Sequence, residues 1–198
     1  ELIVKTIYSE QHRLRDAKTE LHGGQLVTPF ERPSRADTII KAIGQSNLGD
    51  ILEPETFAMD PVRAVHSDDF IAFLETAWQE WQDAGFTGEA IASSWPARRM
   101  QSRLPDFIDG KIGYYALAAE TSITEGTWAA ALASKDVALT GAKALLQGER
   151  GIFSLCRPPG HHAAIDMFGG YCFFNNAAIA AQYLLDQGAK RTAILDID

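Results

Sequence analysis

Residues 152–198 read IFSLCRPPGHHAAIDMFGGYCFFNNAAIAAQYLLDQGAKRTAILDID, and their pattern decides the fold. Ile152–Leu155 is a short strand. Asn175–Gln187 is a helix with Asn175-Asn176 as its cap, Ala178, Ala181, Leu184 and Leu185 turned inward, and Gly188 as its stop. Thr192–Ile197 reads as a second strand. Strand, helix, strand closes as a right-handed crossover, which makes the two strands parallel and the domain α/β. Open α/β sheets bind ligands beyond the carboxyl ends of their strands. Two polar groups fall there: Arg157-Pro-Pro-Gly-His161-His162, and Asp196-Ile-Asp198. Two histidines and two carboxylates are therefore expected at one rim.

Side chains two apart on a strand share a face, so Asp196 and Asp198 repel each other unless a cation intervenes or each finds its own. An acidic strand end facing water is the plain reading of the spacing. Carboxylate with imidazole also suits a divalent metal that activates water. One imidazole can take a proton from that water and return it to a leaving group, so metal-assisted hydrolysis is the reaction class the group suits. Gly169-Gly170 permits close backbone approach. Tyr171 beside it can wall a narrow pocket, while alternation assigns Phe173 or Phe174 to the core. Cys172 has no electropositive neighbour in sequence and reads as a small buried hydrophobe.

Working toward the N-terminus, Thr127–Gln147 is a helix capped by Thr127 and stopped by Gly148, and Asp109–Glu120 is another. Pro96–Pro105, with three arginines, is a loop. Ser67 caps a helix carrying Phe70, Leu74, Ala77, Trp78 and Trp81 on one face and ended by Gly85. Pro33 opens a helix that Gly44 closes, with Ala36, Ile39, Ile40 and Ile43 on its apolar face. Of the four tryptophans, Trp78, Trp81 and Trp128 read as core and Trp95 as an interface residue. Leu2–Tyr8 is the first strand. Ser9–Phe30 shows no sustained period, and a loop that long inside a compact domain has a task of its own.

The chain has 198 residues, 46% hydrophobic and 22% charged, with a formal net charge of −8. A chain this long buries roughly 70% of the surface its unfolded form exposes. The charge balance argues against nucleic acid or an anionic membrane as partner and suits a cationic ligand. No apolar run reaches the roughly 18 residues of a membrane span. Two cysteines and no secretory pattern at the start point to a reducing, cytoplasmic setting.

Arg157–Ala163, Asp166–Phe173, Asn175–Ala178 and Ile194–Asp198, with the helix start at His66–Leu74, resemble the zinc-dependent histone deacetylase superfamily. His12–Phe30, Gly88–Ala92 and Gly113–Tyr115 resemble its bacterial acetylpolyamine amidohydrolase branch. The resemblance implies an arginase/deacetylase α/β fold, a central parallel sheet flanked by helices, over residues 1–198 as the N-terminal portion of one domain. It implies hydrolysis of an N-acetyl amide of a small cationic amine to acetate and free amine. Protein lysine deacetylation is the near alternative, and a non-catalytic fragment keeping half a site is the distant one.

By the same resemblance Asp198 is a ligand of zinc, or of iron in its place, and Asp196 helps hold a structural potassium ion. His161 and His162 are the tandem catalytic histidines, with His162 the general base. Tyr171 and Gly170 line the substrate tunnel. Glu20 and Phe30 match positions near the substrate, and Asp109 and Glu120 match acidic positions, Asp109 being shorter than the glutamate of that branch. Residues 9–32 narrow the site at a homodimer interface. The superfamily's later ligands, a His, an Asp and a carbonyl-polarising Tyr, lie beyond the motifs found in these residues.

Overall fold

The computed structural model describes residues 3–198. Its sheet is parallel, in the order β4-β1-β5: β1 (Lys5–Ile7) pairs on one side with β4 (Ile51–Leu52) and on the other with β5 (Ile152–Ser154). The first strand is thus shorter than Leu2–Tyr8, and Leu2 lies outside the described residues. A separate antiparallel hairpin joins β2 (Glu20–His22) to β3 (Gln25–Val27). Gly23 and Gly24 make its turn with φ of 58° and 78°, the left-handed pair that a two-residue hairpin needs. The early segment is accordingly no unstructured loop. It holds a 3-10 helix (Glu10–Leu14) as well as this hairpin.

Six α-helices flank the sheet among the described residues: α1 (Pro33–Ser46), α2 (Asp60–Arg63), α3 (Asp68–Asp83), α4 (Ile108–Tyr115), α5 (Thr127–Leu146) and α6 (Asn176–Asp186). Gly44 does not close α1. A mid-helix glycine weakens the helix without breaking it, and the chain turns out at Asn47, whose φ is 53°. Ser67 holds the cap position of α3, yet its hydroxyl makes no cap bond. Thr127 lies inside α5 rather than capping it, and its hydroxyl instead accepts from the Thr124 N–H at 2.8 Å. On α6 the buried stripe is Asn176 and Ile179, with Leu185 exposed.

α4 stops at Tyr115 where Glu120 was expected. The backbone leaves the helix to pair with the Phe168 segment: Phe168 N–H donates to Tyr115 O at 2.9 Å, and Leu117 N–H to Phe168 O at 2.7 Å. That pairing carries residues 116–121 alongside the turn after the histidines. The core behind it packs Phe70, Phe73, Ile112, Tyr115, Phe168 and Ile179, together with both Phe173 and Phe174. These last two lie outside any strand, so the alternation that assigned only one of them to the core does not apply. Trp81 is buried in the same core, and Trp95 is half-exposed with its indole N–H on Ala116 O.

Residues 192–197 form no strand. Their apolar side chains stay in water, Leu195 at 87% and Ile197 at 90% exposure. Alternation favours extended backbone, but ladder bonds make a strand, and none joins this segment to β5 in the structure. Its end is held instead by two carboxylates drawn to His161. Beside β5, α5 and α6 wall a groove of about 560 Å³ whose rim includes His161 and Asp198.

Candidate active site

The segment carrying the histidines leaves β5 and is pinned from below. Arg157, almost fully buried, donates from Nε to Glu31 at 2.8 Å and from Nη1 to the carbonyls of His12 at 2.6 Å and Arg15 at 2.9 Å. Pro158 O accepts from Ser134 Oγ at 2.7 Å and from the Asn176 amide at 3.2 Å. Beyond the histidines, the Asn175 amide donates to Ala163 O, while its backbone N–H donates to His66 Nε2 at 2.9 Å. Burial pushes the His66 imidazole below its ordinary range, so it stands neutral as the acceptor that fixes the start of α6.

The histidines differ in what they can do. His161 sits between two carboxylates, Nδ1 lying 3.0 Å from Asp196 and Nε2 3.4 Å from Asp198. That contact holds the Asp196 carboxyl below the usual carboxylate range. The predicted meeting of histidine and Asp-x-Asp is therefore present, although an unpaired segment delivers it. Both ring nitrogens of His161 are thus engaged by carboxylates. His162 packs edge-on against it, ring centres 4.3 Å apart, is exposed, and has no side-chain hydrogen bond among the described residues.

Gly170 and Tyr171 are both left-handed, with φ of 55° and 66°. A side chain at Gly170 would strike the His162 ring. For a tyrosine this backbone is strained, and the surroundings enforce it. Gly170 N–H donates to Glu120 Oε1 at 2.7 Å, Tyr171 N–H to Thr121 Oγ1 at 2.8 Å, and Tyr171 OH to Glu20 Oε2 at 3.0 Å. Burial first, and then the Glu20 carboxylate, push the Tyr171 phenol up to about 12.

Glu20, Glu120, Gly170, Tyr171 and His162 are thus assembled in one place. Glu20 is only 1% exposed and also accepts from the Phe30 N–H at 3.2 Å. Phe30 is 61% exposed and lies edge-on to His22 on the hairpin. Asp109 is not joined to this group: its carboxylate accepts from Ser93 Oγ at 3.2 Å, at the start of α4. Burial pushes the Cys172 thiol up to about 11 and that of Cys156 up to about 12, which leaves both as inert packing.

A catalytic metal site takes about three protein ligands. Among the described residues no three His, Cys, Asp or Glu side chains converge to hold an ion. Asp198 and Asp196 offer one carboxylate each, and both lean on His161. Among the described residues, these two carboxylates would supply one ligand each to such an ion, fewer than a catalytic site takes.

Sequence reasoning missed three supporting groups: the Glu31 and Arg157 pair, Thr121, and Glu89. Arg157 had a signal, since it stands before two prolines where no helix or strand would expose it. Glu89 had none beyond its place in a motif.

Residues 29–198 match the family model described as the histone deacetylase domain. The chain is 55% identical to the acetylpolyamine amidohydrolase of Mycoplana ramosa over 98% of its own length and 57% of that protein's. It is 52% identical to acetylpolyamine amidohydrolase 2 of Pseudomonas aeruginosa, over 98% and 56% respectively. The crystal structure of an acetylpolyamine aminohydrolase from Burkholderia pseudomallei superposes with a TM-score of 0.83 at 33% identity, covering 92% of this chain and 53% of that one. The chain therefore spans a little over half the length of the curated relatives it matches.

Proposed function

From the premise that this chain belongs to the histone deacetylase family, we propose that the protein hydrolyses the N-acetyl amide of acetylated polyamines or similar small acetylated amines. The observation that carries this reading is the wall around His162, where two carboxylates, Glu20 and Glu120, grip the Gly170–Tyr171 turn at its side chain and its backbone. A substrate with an amide at one end and an ammonium at the other fits an acidic, partly dry wall, because opposite charges attract strongly there. The names of the relatives agree.

In this mechanism His162 removes a proton from the water that attacks the acetyl carbonyl. The carbon–oxygen bond forms, the carbon–nitrogen bond breaks, and the same imidazole returns the proton to the departing amine. Acetate and a free amine result. His161, backed by Asp196, stabilises the charge that passes through its neighbour. Zinc on Asp198, or iron in its place, and potassium on Asp196 belong to the same proposal, with further ligands needed beyond those two carboxylates.

A hairpin at the site favours slender substrates over protein tails, and the exposed Leu26 on it and Phe30 just after it support a homodimer interface at the early segment. Among the described residues no helix is long and apolar enough to cross a membrane; the two free cysteines support a cytoplasmic setting.

The complete, metal-loaded protein should release acetate from N-acetylputrescine and N-acetylcadaverine faster than from acetyl-lysine peptides. No release from any of them overturns the proposal. Faster release from peptides, or an unchanged preference after removal of residues 19–30, transfers it to lysine deacetylation.

A further inference from the structure

We propose that Glu89, which touches neither histidine, is a positioning residue that sets Tyr171 and Glu20 through a closed ring of hydrogen bonds. Glu89 stands beside a two-residue bridge in which Ala90 and Ile123 exchange backbone bonds at 3.0 and 2.9 Å. Both of these neighbours are buried, so the backbone that carries the Glu89 carboxylate is fixed.

Four donors meet that carboxylate. Lys18 N–H reaches Oε1 at 2.6 Å. Thr19 N–H, Thr19 Oγ1 and Ser122 Oγ reach Oε2 at 3.1, 2.8 and 3.2 Å. Only an acceptor-only group with two oxygens satisfies such a set, and among side chains that is an ionised carboxylate. An amide would turn an N–H₂ toward a backbone N–H.

From Glu89 the ring runs in two directions and closes on Tyr171. One arm passes through Thr19 to its neighbour Glu20, whose carboxylate takes the Tyr171 hydroxyl. The other passes through Ser122 to its neighbour Thr121, whose hydroxyl takes the Tyr171 N–H. Tyr171 is held at both its backbone and its phenol, which explains how it is kept at a φ of 66°. Removing the clasp frees the hairpin base from residues 121–122, and Tyr171 is then held by two arms that no longer share a support. The kinetic consequence rests on the acetylpolyamine reading, while the structural one does not.

The test is amide hydrogen exchange on the complete protein, wild type against Glu89→Gln and Glu89→Ala, the amide variant guarding against loss of fold. Residues 16–30 and 168–174 should both exchange on the order of tenfold faster, the factor that one lost charge-assisted hydrogen bond allows, with α5 unchanged. Faster exchange confined to residues 16–30, or no change, overturns the proposal. In turnover, Glu89→Gln should raise KM for N-acetylputrescine by about tenfold with kcat nearly unchanged and leave KM for an uncharged N-alkylacetamide alone. An equal loss on both substrates marks a merely structural residue and also overturns it. Wild-type protein inert toward every acetylated amine, with exchange as expected, sinks the function assignment and upholds the ring.

Discussion

The phenol of Tyr171 donates to Glu20 Oε2 at 3.0 Å across 151 positions of sequence. This one bond ties the turn behind the histidine pair to a hairpin at the opposite end of the chain. It also places a hydroxyl against a buried carboxylate, so ionising the phenol would set two anions side by side.

Alkaline pH should therefore loosen the site. The Tyr171 phenol is raised from its ordinary value near 10 to about 12, so the folded state holds the proton more tightly than the unfolded chain does. The resulting stabilisation is fully present below pH 10 and is lost as pH rises through 12. Tyr171→Phe should flatten the thermal stability between pH 10 and 12. Tyr8, also raised to about 12, and Tyr115, raised by burial and its bond to Asp69, leave a residual slope. An unaltered slope in the variant would show that the phenol is not held as described.

His162→Ala should lower kcat by roughly 10²–10⁴ with the far-UV spectrum and melting temperature unchanged, because the ring is exposed and makes no side-chain hydrogen bond among the described residues. Asp196→Asn should have a smaller effect, since His161 keeps Asp198 at 3.4 Å. Steady-state kinetics on the complete enzyme separates the two. Equal losses would mean that the histidines share the proton.

How far the sequence revealed this arrangement depends on whether the signal was local. The α5 and α6 spans, the Asn175 cap and the strand before Arg157 follow from periodicity and capping chemistry, which act within a few residues. The hairpin at Glu20–Val27 has strands of three residues, too short to show a period. Its Gly23-Gly24 turn was a usable signal, but the bonds that anchor it, linking Glu20 to Tyr171 and Glu89 to Lys18 and Thr19, are distant in sequence and no local pattern announces them. The early end of α4 and the unpaired residues 192–197 are likewise decided by pairing partners distant in sequence. The candidate site was legible as residue types: Glu20, Glu120, Gly170, Tyr171 and the histidines do converge. Asp109 does not, because the helix it opens turns its carboxylate to Ser93.

Gly170→Ala should damage activity far more than stability. A side chain there meets the His162 ring, and the left-handed backbone adds about 1 kcal/mol for a non-glycine residue. The fold should survive with a melting temperature a few degrees lower, while kcat falls because His162 is pushed from its place. Wild-type kcat in a folded Gly170→Ala variant would mean that the ring yields freely and that its position is unimportant.

The Glu31 and Arg157 pair offers a test of what holds the catalytic segment. Both side chains are almost fully buried, at 2.8 Å, and the guanidinium also serves two backbone carbonyls. Arg157→Met removes these three bonds and leaves the buried Glu31 only the distant, exposed Arg35 guanidinium at 3.9 Å, a loss of about 3–5 kcal/mol by analogy with other broken buried pairs. Glu31→Gln removes the charge but leaves Arg157 its carbonyls of His12 and Arg15, so it should cost less. The double variant should be less unstable than the two single effects added together, because Arg157→Met is harmful partly through the anion it leaves behind. Urea unfolding of the four proteins measures the coupling. Simple additivity would show that Arg157 acts through the carbonyls alone, and that Glu31 contributes nothing to holding the histidines.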